Sequence, residues 1–97
     1  MKLHRARVDD NQSEIVDALR KAGIQVRVMS EVGGGFPDLL ARHKNGSLVL
    51  LEVKDGRKPP SARALTVLEK KFAAAWPVVV VIDVREALAA CGVTVGE

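Results

Sequence analysis

Asp38, Glu52 and Lys54 are the residues whose types and spacing could do chemistry. Pro37-Asp38 follows the run Gly33-Gly34-Gly35-Phe36, and Glu52-Val53-Lys54 ends the apolar run Leu48-Val49-Leu50-Leu51. Side chains at i and i+2 of a strand share a face, so Glu52 and Lys54 point one way while Val53 enters the opposite core. Asn45-Gly46 lies between the two motifs and is a strong hairpin signal. Folding back there brings Asp38, heading one strand, beside Glu52 on the next. Two carboxylates that close repel each other unless a cation sits between them. Oxygen ligands suit Mg²⁺, which keeps waters and takes phosphate oxygens as further ligands. Mn²⁺ is expected to substitute. Such a metal can lower the pKa of a bound water and neutralise charge in a phosphorane-like transition state. Lys54 can orient or deprotonate that water, or stabilise the developing charge. The backbone carbonyl of Val53 is a plausible extra ligand. A lone Glu-x-Lys at a strand end is usually a solvated ion pair. Here it closes a wholly apolar strand and is paired with Pro37-Asp38 after a glycine loop, which makes coincidence a poor explanation.

The elements that must position these residues can be read in order. From Asp9 to Ala22, the residues Val8, Ile15, Val16, Leu19 and Ala22 fall on one helix face at about 100° per residue. Asp9, Asp10 or Asn11 can cap this helix, and Gly23 ends it. Gln12 lies within the apolar stripe, whereas Glu14 falls nearly opposite and should face solvent. From Ile24 to Met29, apolar Ile24, Val26 and Val28 alternate with Gln25 and Arg27, as in a half-buried strand. Ser30 to Gly35 is a loop whose glycines permit positive φ and a close backbone approach. Asp38 to Arg42 is the next strand. His43 to Ser47 is the turn, and Leu48 to Lys54 is a near-continuous apolar strand expected to be central and covered on both faces. Asp55 to Leu65 is a basic loop containing Pro59-Pro60. Thr66-x-x-Glu69 opens a helix from Val67 to Ala75 as a capping box. Val78 to Ile82 reads as a second buried strand. Asp83-x-x-Glu86 is another capping box, opening a last helix that Gly92 stops. The expected fold is α/β: a mixed sheet of about four strands in the order α-β-β-β-α-β, with a C-terminal helix and helices on both faces.

The chain of 97 residues is one domain by length, with a basic segment at residues 1–8. Hydrophobic residues make up 47%, which excludes a disordered tail. The aromatics are only Phe36, Phe72 and Trp76, so aliphatic residues must build the core. The formal net charge of +3 is compatible with a polyanionic partner. Cys91 is the single cysteine and cannot form an internal disulfide. That favours a reducing compartment, and a cytoplasmic location is expected. The start of the sequence carries no apolar signal-like run, and the longest apolar stretch, Phe72 to Ile82, contains Pro77 and is too short to span a bilayer. No membrane partner is expected.

Pro37-Asp38 followed by Glu52-Val53-Lys54 resembles the signature of the PD-(D/E)xK nuclease superfamily, which has the restriction-endonuclease-like fold. The longer string resembles small phage-type nucleases related to VRR-NUC domains and Holliday junction resolvases. It comprises Asp9-x-Asn11-Gln12-x-Glu14-Ile15-Val16, Gly33-x-Gly35-x-Pro37-Asp38-Leu39, Leu51 to Gly56, Ser61, and Leu65-Thr66-x-x-Glu69. The resemblance covers about Asp9 to Leu88. It implies Asp38 and Glu52 as metal ligands, Lys54 as the catalytic lysine, and a polar or acidic residue from the first helix. Gln12 occupies that place, where many relatives have glutamate; Glu14 is the acidic alternative, but its helical phase points to solvent. VRR-NUC relatives often carry glutamine at the position of Glu69, whose capping role is sufficient explanation here.

Around this centre, Arg57, Lys58 and Arg63 lie in the loop leaving the catalytic strand and could track a phosphate backbone. Lys70 and Lys71 could do the same or simply solvate a helix. Ser61 could hydrogen-bond phosphate or shape the loop after Pro60. Gly33, Gly34 and Gly35 could let the scissile strand approach, although no Walker motif follows. His4 and His43 are too isolated to be ligands, and Cys91 reads as a small core residue. The expected function is Mg²⁺-dependent endonucleolytic cleavage of DNA, with recognition of DNA structure as one route to specificity and RNA as an open alternative substrate. The competing reading is a nucleic-acid-binding or assembly module that keeps the fold without cutting. A homodimer would place two sites on two strands.

Overall fold

The computed structural model describes residues 8–94. Of the basic segment at residues 1–8, residues 1–7 lie outside the described residues. Helix α1 runs Gln12–Lys21 and buries Gln12, Ile15, Val16 and Leu19 along one face. It starts later than expected; Asn11 holds the cap position but makes no cap hydrogen bond through its side chain. The Asn11 amide instead donates to the carbonyls of Lys54 (3.2 Å) and Ile82 (3.0 Å), tying the helix start to the two strand ends. Gly23, at φ 84°, ends the helix.

Strands β1 (Val26–Val28), β2 (Leu39–Arg42), β3 (Leu48–Val53) and β4 (Val78–Val81) form one sheet in the order β1-β2-β3-β4. β1 and β3 are antiparallel to β2, and β4 is parallel to β3, so the sheet is mixed as expected. The turn at Asn45-Gly46 closes the β2–β3 hairpin in the register Leu39↔Leu51. Strand alternation then separates two faces. One face carries Val26, Leu39, Ala41, Leu51, Val53 and Val81, buried with Ile15, Leu19, Ala87 and Cys91 in the core. α1 and α4 (Val84–Ala90) supply its cover. Full burial of a side chain such as Leu51 contributes about 1.5–3 kcal/mol.

The other face carries Leu40, Leu48, Leu50, Glu52, Val78 and Val80, and its cover is thin. Helix α3 (Val67–Ala75) lies over it through Phe72 and Glu69, but none of its residues is buried. Two expectations are corrected here. β3 is covered on both faces only over its C-terminal half, and Leu48 is 71% exposed. β4 is an edge strand whose Val79 and Val80 are exposed, because α4 shelters only its Val81 end and, among the described residues, no strand pairs on its outer side. An unbroken valine run satisfies a buried strand and an edge strand equally well by composition. Val28, at the outer end of edge strand β1, is exposed for the same reason. The basic loop also contains a short helix, α2 (Pro60–Arg63), because Pro60 is pre-organised for the first helical position.

The capping signals hold with one shift. Thr66 Oγ1 accepts the Glu69 N–H and Glu69 Oε1 accepts the Thr66 N–H, giving the reciprocal box on α3. On α4, Asp83 accepts the Glu86 N–H, but Glu86 accepts from Ile82, one residue earlier than the box requires. Among the described residues no helix is long and apolar enough to cross a membrane. Because Asn11 donates to two carbonyls just past the ends of β3 and β4, Asn11→Ala is expected to lower unfolding stability by about 2 kcal/mol in urea titration. A loss as small as that of an ordinary surface substitution would mean that these bonds do not stabilise the fold.

Candidate active site

The hairpin register Leu39↔Leu51, continued by one residue, sets Asp38 opposite Glu52. Both carboxylates are buried, at 6% and 4% exposure. Asp38 Oδ2 accepts the Val53 N–H at 2.8 Å, which fixes its carboxylate against β3. The two acid groups hydrogen-bond to each other. Burial, followed by the charge of Asp38 and its shared hydrogen bond, pushes the Glu52 carboxyl up to about 9. Burial also raises Asp38, against the opposing pull of the Val53 N–H. Burial therefore pushes both carboxyls toward their protonated forms.

Lys54 is 8% exposed, with its ammonium 3.7 Å from Glu52 Oε2 and 2.9 Å from Glu69 Oε1. Burial alone would lower its pKa, but the Glu69 hydrogen bond and the charges of Glu69, Glu52 and Asp9 outweigh that, and the net direction is upward. Lys54 stays a cation. Burial of Glu69 would raise its carboxyl, yet the Thr66 N–H and Lys54 together lower it. One atom, Glu69 Oε1, thus caps α3 and holds the lysine.

These groups open into a groove of about 870 Å³. Asp38, Glu52, Lys54 and Glu69 line it, with Asp9, Asp10 and Lys58 at one side and Gly33, Gly34, Gly35 and Phe36 at another. All three glycines have positive φ, at 72°, 65° and 87°. A Cβ on Gly35 would run into the backbone of Leu68, so this glycine lets the loop dock on the start of α3. Gly33 and Gly34 meet nothing within 4 Å and leave their side of the groove open.

The other candidates divide. Ser61 lines the groove and is exposed. Lys58 lines it too, but its ammonium lies 3.6 Å from Asp9 and 3.8 Å from Asp10. Arg57 is turned away: it holds Asp55 with two side-chain bonds of 2.9 Å and lines a separate groove with Glu14. That bond holds the Asp55 carboxyl down to about 2. Arg63 does not line the groove, and neither does Glu14, which is exposed as its phase required. Gln12 is buried on the sheet side, as its phase required, yet its amide exchanges hydrogen bonds of 3.0 and 3.1 Å with Ser30 and does not reach the groove. It anchors the glycine loop to α1.

The sequence reading missed Asp9 and undervalued Glu69. Both were explained by capping, and a cap residue gives no periodic signal that shows where its free lone pairs point. Among the described residues no group of three or more His, Cys, Asp or Glu side chains forms a ready metal cage. The donor set still fits a hard cation, since two buried carboxylates that compete for one proton would be relieved by Mg²⁺, which completes its shell with water. No family model, curated protein or solved structure matches the chain.

The raised Glu52 carboxyl makes the metal-free fold pH-sensitive. The folded state binds this proton more tightly than the unfolded chain, so the stabilisation is complete below the ordinary value of 4.5 and is lost as pH rises through about 9. The melting temperature in EDTA is expected to fall between pH 5 and 9, and Glu52→Gln should flatten the slope; an unchanged slope in that variant would remove the assignment. Gln12→Ala should cost stability and, if the site takes Mn²⁺, keep that affinity within about twofold, because loss of a residue that orients a metal ligand would cost tenfold or more.

Proposed function

We propose that this chain is a Mg²⁺-dependent phosphodiesterase that cuts DNA, built on a restriction-endonuclease-like core. The observation that carries the reading is the buried Asp38–Glu52 pair with the Lys54 ammonium beside it at the floor of an open groove. The strand order and the motif Pro37-Asp38…Glu52-Val53-Lys54 support the same reading through their resemblance to PD-(D/E)xK nucleases.

Asp38 and Glu52, with the carbonyl of Val53, would hold the metal. Once bound, it supplies an activated water and neutralises charge on the phosphoryl oxygens. Lys54 remains protonated, so its contribution is electrostatic, directed at negative charge that builds during attack. Glu69 keeps that ammonium at the site. The groove carries Asp9, Asp10, Asp38, Glu52 and Glu69 against Lys54 and Lys58, an acidic excess that would repel a phosphodiester without a cation. The second reading, a module that binds without cutting, is favoured by Gln12, whose amide is committed to Ser30. A homodimer would set two such sites on two strands.

Incubation with supercoiled plasmid, flap and four-way-junction DNA in Mg²⁺ or Mn²⁺ tests the proposal. Cleavage is expected for the wild type and should fall at least about a hundredfold in Lys54→Ala. Identical behaviour of the two proteins on every substrate would defeat the enzyme reading. Calorimetry should show Mn²⁺ binding that is lost in Asp38→Ala; DNA binding with neither cleavage nor metal uptake would establish the second reading.

A further inference from the structure

The three aromatic residues of the chain are absent from its core and meet at one surface site. Phe36 and Phe72 are in edge contact at 5.1 Å, and Phe72 stacks on Trp76 at 5.8 Å with ring planes 16° apart. Trp76 is 57% exposed. The pair Phe36–Phe72 explains how α3 is held on the sheet. It does not explain an exposed tryptophan stacked beyond it.

Three grooves adjoin on this face of the sheet. Phe36 belongs both to the candidate active site and to an apolar groove of about 350 Å³ that also contains Phe72 and Trp76. Leu40 and Leu48 belong to that apolar groove and to a third one, where Arg27 and Arg42 stand. The register places Arg27 opposite Leu40 and Arg42 opposite Leu48. Both arginines are exposed, and neither has an ion pair among the described residues. The continuous path is therefore acidic and metal-suited at one end, aromatic in the middle and cationic at the far end.

We propose that this path binds a single DNA strand, with unpaired bases stacked on Trp76 and phosphates met by Arg27 and Arg42. Aromatic faces beside free cations match bases joined by a charged backbone. Paired bases are stacked on one another and do not offer their faces in this way. The inference rests on the nuclease reading for direction: the groove would receive DNA with an unpaired segment, such as a flap or a branch, in preference to blunt duplex.

Trp76 is the only tryptophan, so its emission reports directly on the platform. The experiment titrates the full chain in EDTA with oligothymidylate and, separately, with blunt duplex of equal length. Saturable quenching by oligothymidylate is expected, with duplex binding about tenfold weaker. In anisotropy with labelled oligothymidylate, Trp76→Ala should weaken binding about tenfold, and Arg42→Glu, which leaves the aromatic cluster untouched, should weaken it and lower the salt slope by about one. Unchanged emission, or equal affinity for both DNAs in wild type and both variants, would overturn the proposal. Sedimentation showing a dimer that Trp76→Ala converts to monomer would overturn it too, assigning the face to a second copy. Metal-free binding is scored apart from cleavage: quenching without cleavage would fail the catalytic reading alone, and cleavage without quenching would fail this one alone.

Discussion

The bond from the Val53 N–H to Asp38 Oδ2 is the constraint on which the site depends. It crosses the hairpin, fixes the depth of the Asp38 carboxylate and leaves Glu52, one residue earlier on β3, facing it. The donor is a backbone N–H within the sheet, so the Asp38 carboxylate is held on the Glu52 side of the hairpin. Burial pushes both carboxyls toward their protonated forms. A metal ion would compete with that protonation. This kind of stored conflict marks functional sites more often than structural ones.

The remaining parts are arranged so that the conflict does not unfold the protein. The aliphatic core lies on the opposite face, where Leu39, Leu51 and Val53 are fully buried beneath α1 and α4. The site face is held by fewer and more polar contacts. α3 has no buried residue and is seated by Gly35 against Leu68, by Phe36 against Phe72, and by Lys54 against Glu69. Elements with few buried apolar contacts open at low free-energy cost, so the stable half of the molecule supports a more easily moved half over the groove.

Much of the fold was legible because its signals are local. The Gln12–Leu19 stripe, the Asn45-Gly46 hairpin and the Thr66–Glu69 capping box each involve residues a few positions apart, where backbone periodicity and turn chemistry act directly. The same local logic placed Asp38, Glu52 and Lys54 together, since the hairpin links them. It misread β4, whose valines carry no mark distinguishing an edge from an interior. It offered Asn11 as one of three capping side chains; Asn11 holds the cap position, but its side chain joins strand ends 43 and 71 residues away.

By itself the sequence determined the order of the four strands and three longer helices and the hairpin that brings Asp38 beside Glu52, because these follow from short-range geometry. Only the tertiary structure decided which polar side chains share a space. Gln12 went to Ser30, Arg57 to Asp55, and Lys58 to Asp9 and Asp10, while Glu69 reached Lys54. Each partner is chosen by where helices and loops dock, and that docking is set by the core on the far face of the sheet. The gathering of Phe36, Phe72 and Trp76 at the surface has the same origin: helical spacing aligns the last two, but only the seating of α3 on the sheet brings Phe36 against them.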